Sequence, residues 1–89
     1  MPAVSAGDGF DLHPQVALRP EPFGALLYHF GTRKLSFLKN RTIVAVVTAL
    51  GEHPDVGGAL ASAGVAAGQE GPYLHALGVL ADSQMLVAR

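Results

Sequence analysis

The stretch Arg33-Lys34-Leu35-Ser36-Phe37-Leu38, followed at once by Lys39-Asn40-Arg41-Thr42-Ile43, passes from a strand pattern to a helix pattern with no room for a loop. Lys34 and Ser36 alternate with Leu35 and Phe37, the period-two signature of a strand with one wet face. Asn40 is a good helix N-cap. Ile43, Val46, Val47 and Leu50 then recur at i, i+3, i+4 and i+7 until Gly51 supplies a stop. This spacing predicts a third strand over 33–38 and a first helix over 40–50.

Upstream, Val16-Ala17-Leu18 predicts a short first strand that ends at Arg19-Pro20-Glu21-Pro22, because each proline removes an amide donor and fixes φ. Phe23 to Phe30 predicts the second strand, with Leu26, Tyr28 and Phe30 on one face and Ala25, Leu27 and His29 on the other. Both faces are apolar, which suits the middle of a sheet. Gly31-Thr32 signals a tight turn into the third strand. Residues 1–11 are small, glycine-containing and aperiodic. They are expected to be disordered, with order beginning near Leu12.

Downstream, Asp55 predicts the N-cap of a second helix carrying Val56, Ala59, Leu60 and Ala63 before Gly64 ends it. Gly57 and Gly58 weaken that helix by up to about 1 kcal/mol each relative to alanine. A third helix should run from Pro72 to Asp82 or Ser83, with Tyr73, Leu74, Leu77, Leu80 and Ala81 on one side. Met85-Leu86-Val87 is an apolar tail able to cover a core edge or add a short strand. The resulting fold class is α+β, a three-stranded antiparallel sheet followed by three helices in one domain over 12–89.

A chain of 89 residues buries only about 60 to 65% of the surface exposed by its unfolded form, so a modest stability margin is expected. Yet 49% of its residues are hydrophobic and the mean hydropathy is +0.33, enough to leave apolar surface for a partner. There is no cysteine, hence no disulfide, thiolate nucleophile or cysteine-held cluster. The N-terminus lacks a signal-peptide pattern, and no apolar run approaches the ~20 residues of a membrane span. A cytoplasmic chain without membrane attachment is the expectation.

Catalytic constellations are missing as well. His13, His29, His53 and His75 lie 16, 24 and 22 residues apart, so no two share a helical face, and they read as separate surface or turn histidines. No serine sits in a Gly-x-Ser-x-Gly turn, the carboxylates show no close pair, and the glycines form no phosphate-binding loop. No catalytic residue, cofactor or metal is assigned, and the chain is read as a non-enzyme.

Two binding classes remain. Three helices with a small sheet invite comparison with winged-helix nucleic-acid binders. However, the two later helices contain no Lys or Arg and carry Asp55, Glu70 and Asp82, so nucleic acid is not expected as a partner. The cations Arg33, Lys34, Lys39 and Arg41 instead crowd the third strand and the first helix start. Three strands cannot close into a barrel, so an edge is left with unpaired amides and carbonyls that an extended peptide can join. With the third strand as that edge, one of the successive amides of Leu35 and Ser36 must face the added strand. Tyr73, Leu77 and Leu80 would wall the groove, and Arg33 and Lys34 would attract an acidic peptide.

The run from Leu12 to Leu38, Leu12-His13-Pro14-Gln15-Val16-Ala17-Leu18-Arg19-Pro20-Glu21-Pro22-Phe23-Gly24-Ala25-Leu26-Leu27-Tyr28-His29-Phe30-Gly31-Thr32-Arg33-Lys34-Leu35-Ser36-Phe37-Leu38, closely resembles the mycofactocin precursor-peptide-binding chaperones, the MftB family within the PqqD-like group. The likeness is looser after Gly51, resting on Ala63-Gly64-Val65 and on the Tyr-Leu-x-Ala-Leu pattern of Tyr73 to Leu77. It implies a winged-helix-like recognition element for ribosomally made, post-translationally modified peptides. In that family the leader of the mycofactocin precursor peptide pairs antiparallel with the third strand, against the third helix, and is presented to a radical S-adenosylmethionine maturase. Carried over by position, the peptide-binding residues would be Arg33, Lys34, Leu35, Ser36 and Phe37 with Tyr73, Leu77 and Leu80. The iron–sulfur chemistry would belong to the maturase, and the free chain would be monomeric.

Overall fold

The central hairpins fold where the sequence places them. The computed structural model describes residues 4–89. Its three-stranded antiparallel sheet has the order β2-β3-β4, with β2 at Val16–Glu21, β3 at Gly24–His29 and β4 at Leu35–Leu38. The strand β2 runs through Pro20 rather than stopping before it. It lies at the sheet edge, where a proline's missing amide can point away from the ladder. Helix α1, Arg41–Ala49, runs on into a single 3-10 turn at Leu50–Glu52. Helix α2 spans Val56–Ser62 and α3 spans Gly71–Asp82.

Both predicted caps are made. Asn40 Oδ1 accepts from the Ile43 amide at 2.9 Å and Asp55 Oδ1 from the Gly58 amide at 2.8 Å; such bonds are worth about 1 kcal/mol each. The predicted helical stripes are the ones buried: Ile43, Val46, Val47 and Leu50 of the first helix and its turn, then Val56, Ala59 and Leu60 of α2. They close over Ala25, Leu27 and Leu38 from the inner face of the sheet, with Leu77, Leu80, Met85 and Leu86 completing the core.

The N-terminal expectation is corrected. Met1 to Ala3 lie outside the described residues, but Val4 and Phe10 are buried and Phe10–Leu12 forms β1, pairing antiparallel with β5 at Leu86–Ala88. The apolar tail thus adds a strand, in a second, two-stranded sheet. The segment before β1 has a further task. The Ala6 and Asp8 carbonyls accept from the Gly57 and Val56 amides at 2.8 Å, supplying partners to the otherwise orphaned amides at the start of α2. Gly57 permits this approach, since a Cβ there would stand 3.3 Å from the Ala6 oxygen. The helix that looked weakened by glycine is therefore held by a strap that glycine admits.

The two-residue connection Pro22-Phe23 joins β2 to β3, and Gly24 begins β3 at φ +152 with the Leu38 carbonyl where a Cβ would be. Both the angle and the crowding demand glycine. Gly24→Ala is expected to destabilise the fold by about 2 kcal/mol or more, lowering Tm by at least about 8 °C in a thermal melt. An unchanged Tm would show that β4 does not approach this closely.

Candidate functional site

The end of β3 sets the geometry of β4. His29 is buried, and its Nδ1 accepts from the Gly31 and Thr32 amides at 3.0 and 3.1 Å. Its backbone closes the same turn: the His29 amide donates to the Lys34 carbonyl at 3.0 Å and its carbonyl accepts from the Arg33 amide at 2.7 Å. Two accepted bonds at Nδ1 leave the proton on Nε2, which is buried without a partner among the described residues. The His13 ring lies against it with centroids 4.4 Å apart. These two histidines are thus packed together and not separate, a pairing of loop and strand that sequence spacing does not display.

This turn fixes the alternation along β4. In an antiparallel ladder, hydrogen-bonded pairs alternate with non-bonded ones. The bonded pair His29 and Lys34 is followed by Tyr28 opposite Leu35, Leu27 opposite Ser36, Leu26 opposite Phe37 and Ala25 opposite Leu38. Ser36 and Leu38 therefore turn their backbone groups to β3, and Leu35 and Phe37 turn theirs away from it. No strand of the described residues lies on that far side. Of the two amides considered from the sequence, that of Leu35 faces the open edge.

The same parity corrects the strand's side chains. Leu35 and Phe37 were expected on the dry face, yet they are 53% and 57% exposed, while Leu38 is buried and Ser36 half-buried. Direct cross-strand neighbours share a face. Leu35 and Phe37 accordingly stand with Tyr28 and Leu26 on the outer side, where the Phe37 ring meets Phe23 at 5.9 Å and Tyr28 meets Phe30 edge-on at 5.0 Å. The strand begins at Leu35, so Arg33, with φ +63, and Lys34 belong to the connection before it.

Between β4 and α3 runs a groove of about 940 Å3. Leu35 to Leu38 form one wall, Tyr73, Ala76, Val79 and Leu80 the other, and Lys39 lies at one end. Its character is apolar with a cationic margin, and none of Arg33, Lys34, Lys39 and Arg41 forms an ion pair among the described residues. Of the residues singled out from the sequence, Leu35, Ser36, Phe37, Tyr73 and Leu80 line the groove. Arg33 and Lys34 stand exposed in the turn beside it.

Leu77 does not line it. It is fully buried in the core, lying about 100° round the helix from Ala76. Sequence reasoning instead missed Ala76 and Val79. The signal available in the sequence was Val79 itself, an apolar residue on a helix whose opposite face already carries Leu74, Leu77 and Ala81; it stands 42% exposed.

The other edge is less inviting to a strand. Along β2, Pro20 offers no amide, and Arg19 and Glu21 pair across 3.0 Å on the solvent side. Among the described residues, the three-stranded sheet therefore presents β4 as its open edge, with a groove alongside.

A family model for the peptide chaperone MftB family matches residues 9–87. The chain is similar to the peptide chaperone MftB of Mycolicibacterium smegmatis, 74% identical over 76 residues, which is 85% of this chain and 74% of that one. The MftB of Mycobacterium ulcerans is 71% identical over 79 residues, 89% and 72% of the two chains. That of Mycobacterium tuberculosis is 69% identical over 81 residues, 91% and 74%. No solved structure matches the chain.

Amide hydrogen exchange checks the ladder parity. Ser36 and Leu38 should exchange at least about tenfold more slowly than Leu35 and Phe37 in the free protein. The reverse order would place the edge one residue out of register.

Proposed function

The chain belongs to the MftB peptide chaperone family, and from that membership we propose that it binds the leader of the mycofactocin precursor peptide by strand addition to β4. The observation that carries this reading is the open β4 edge, with the backbone of Leu35 and Phe37 turned outward beside an apolar groove walled by α3. Main-chain bonds to those two residues supply affinity for any extended peptide. Pockets formed by Tyr73, Val79 and Leu80 select among side chains. Arg33, Lys34 and Lys39 add attraction for carboxylates, screened by salt over about 10 Å at 0.1 M.

The proposed action is tethering. A peptide held by its leader keeps its reactive end near a radical S-adenosylmethionine maturase, at an effective concentration of about millimolar for a short flexible connection. All bond-making belongs to that enzyme, and this chain is read as non-catalytic and monomeric when free. A ribosomal precursor is first met in the cytoplasm, which is where this reading locates the chain. Within the proposed site Leu77 supports α3 from behind and does not touch the peptide.

Proline substitution separates this mechanism from general damage. Leu35→Pro removes an outward amide and should leave the fold intact while weakening leader binding at least about tenfold by calorimetry, whereas Ser36→Pro breaks the β3–β4 ladder and lowers Tm. Undiminished affinity in folded Leu35→Pro would overturn strand addition at β4.

Charge reversal tests the margin independently. Arg33→Glu combined with Lys34→Glu should weaken binding at low salt and flatten its salt dependence. Parent affinity that is equal at low and high salt would remove the electrostatic contribution.

A further inference from the structure

The outer face of the sheet remains unexplained by a peptide that is read only in the groove. Phe23, Phe30, Leu35 and Phe37 are 45 to 60% exposed, and with Tyr28 they form an aromatic surface on the side of the sheet away from the helices. Leu35 and Phe37 belong to this surface and also rim the groove, so the two are continuous.

Strand geometry determines what an added peptide would place there. Its residues directly opposite Leu35 and Phe37 share their face and project outward, while its residues opposite Ser36 and Leu38 project into the groove. We propose that the guest strand is read on both faces, its outward residues packing on Leu35 and Phe37 while its inward ones meet α3. The inference rests on the strand-addition reading above and specifies the peptide class: about four consecutive apolar residues rather than an alternating amphipathic strand. Lys34 and Lys39 flank that span about 17 Å apart along an extended chain, which places carboxylates at both of its ends.

A second copy of this chain fits the edge poorly. Antiparallel pairing of two β4 strands would bring Arg33 and Lys34 of each copy towards Lys39 and Arg41 of the other, like charge on like. An acid-flanked apolar segment meets the same cations with opposite charge. The charge pattern thus selects the peptide over the copy as occupant.

Three capped peptides test this by NMR titration of the intact chain. One carries Glu-Val-Leu-Val-Leu-Glu between glycines, the second replaces both leucines by serine, and the third replaces both valines. Antiparallel pairing directs the valines inward and the leucines outward. The two-faced peptide should bind at least about tenfold more tightly than either serine peptide. Phe37→Ser, at an exposed position, should weaken the two-faced peptide at least about fivefold and the leucine-to-serine peptide by a factor at least about twofold smaller, the non-additivity expected of a direct contact. Leu35→Ser serves as a second variant should Phe37→Ser not fold.

Equal affinity of the two-faced and leucine-to-serine peptides would overturn the inference while leaving strand addition standing, since Leu35→Pro would still weaken binding of both. Saturable binding by none of the three would overturn the inference, while strand addition stands or falls with leader binding to Leu35→Pro. A concentration-dependent dimer that Phe37→Ser converts to monomer would assign the face to a second copy and also overturn the proposal.

Discussion

Everything at the β4 edge follows from how one buried imidazole closes one turn. His29 accepts two amides at Nδ1 and pairs its backbone with Arg33 and Lys34, so the connection from Phe30 to Arg33 has a single length and β4 a single register. A slip of one residue would exchange the two faces of the strand completely. It would bury Phe37, expose Leu38 and turn the Ser36 amide to the open side. Among the described residues the Nε2 atom is buried without a partner, and a buried donor left unpaired costs about 1 to 3 kcal/mol. The His13 ring packs against this imidazole at a 43° tilt but offers Nε2 no bond among the described residues.

Around this turn the sheet divides its apolar residues between two duties. Ala25, Leu27 and Leu38 face the helices and carry the core, while Leu26, Tyr28, Leu35 and Phe37 face outward. For a chain this small, committing aromatic side chains to the wet side sacrifices stability that burial would have supplied. The edges are treated unequally too, β2 being blunted by Pro20 and an Arg19–Glu21 pair while β4 keeps outward-facing amides beside a groove.

The sequence displays what is local. Asn40 and Asp55 announce their helices, and the 3.6-residue period of Ile43, Val46, Val47 and Leu50 shows which side is buried, because neighbours within one turn make those contacts. The middle position of β3 is readable from its two apolar faces. What stays hidden depends on partners distant in sequence. Phe10-Asp11-Leu12 becomes a strand only through Leu86 to Ala88; the apolar tail signalled a possible strand, whereas the segment before Leu12 is too short to declare itself alone. The facing of β4 was misread because alternation shows that two faces differ without showing which is inward; the exposed face here is the more apolar. Leu77 was placed in the groove for a related reason, since α3 is apolar on nearly all sides and a stripe gives no direction.

The pairing of β1 with β5 also dictates an order of assembly. The hairpins β2-β3-β4 and the start of α1 join residues close in sequence, whereas Phe10 must find Ala88 across almost the entire chain. Closing so long a loop costs chain entropy before any contact repays it, so this small sheet forms last and opens first. When it opens, Ala6 and Asp8 lose their anchor and α2 loses the acceptors for its first amides. The two ends of the chain and its second helix thereby form one cooperative unit, separable in time from the hairpins that carry the binding edge.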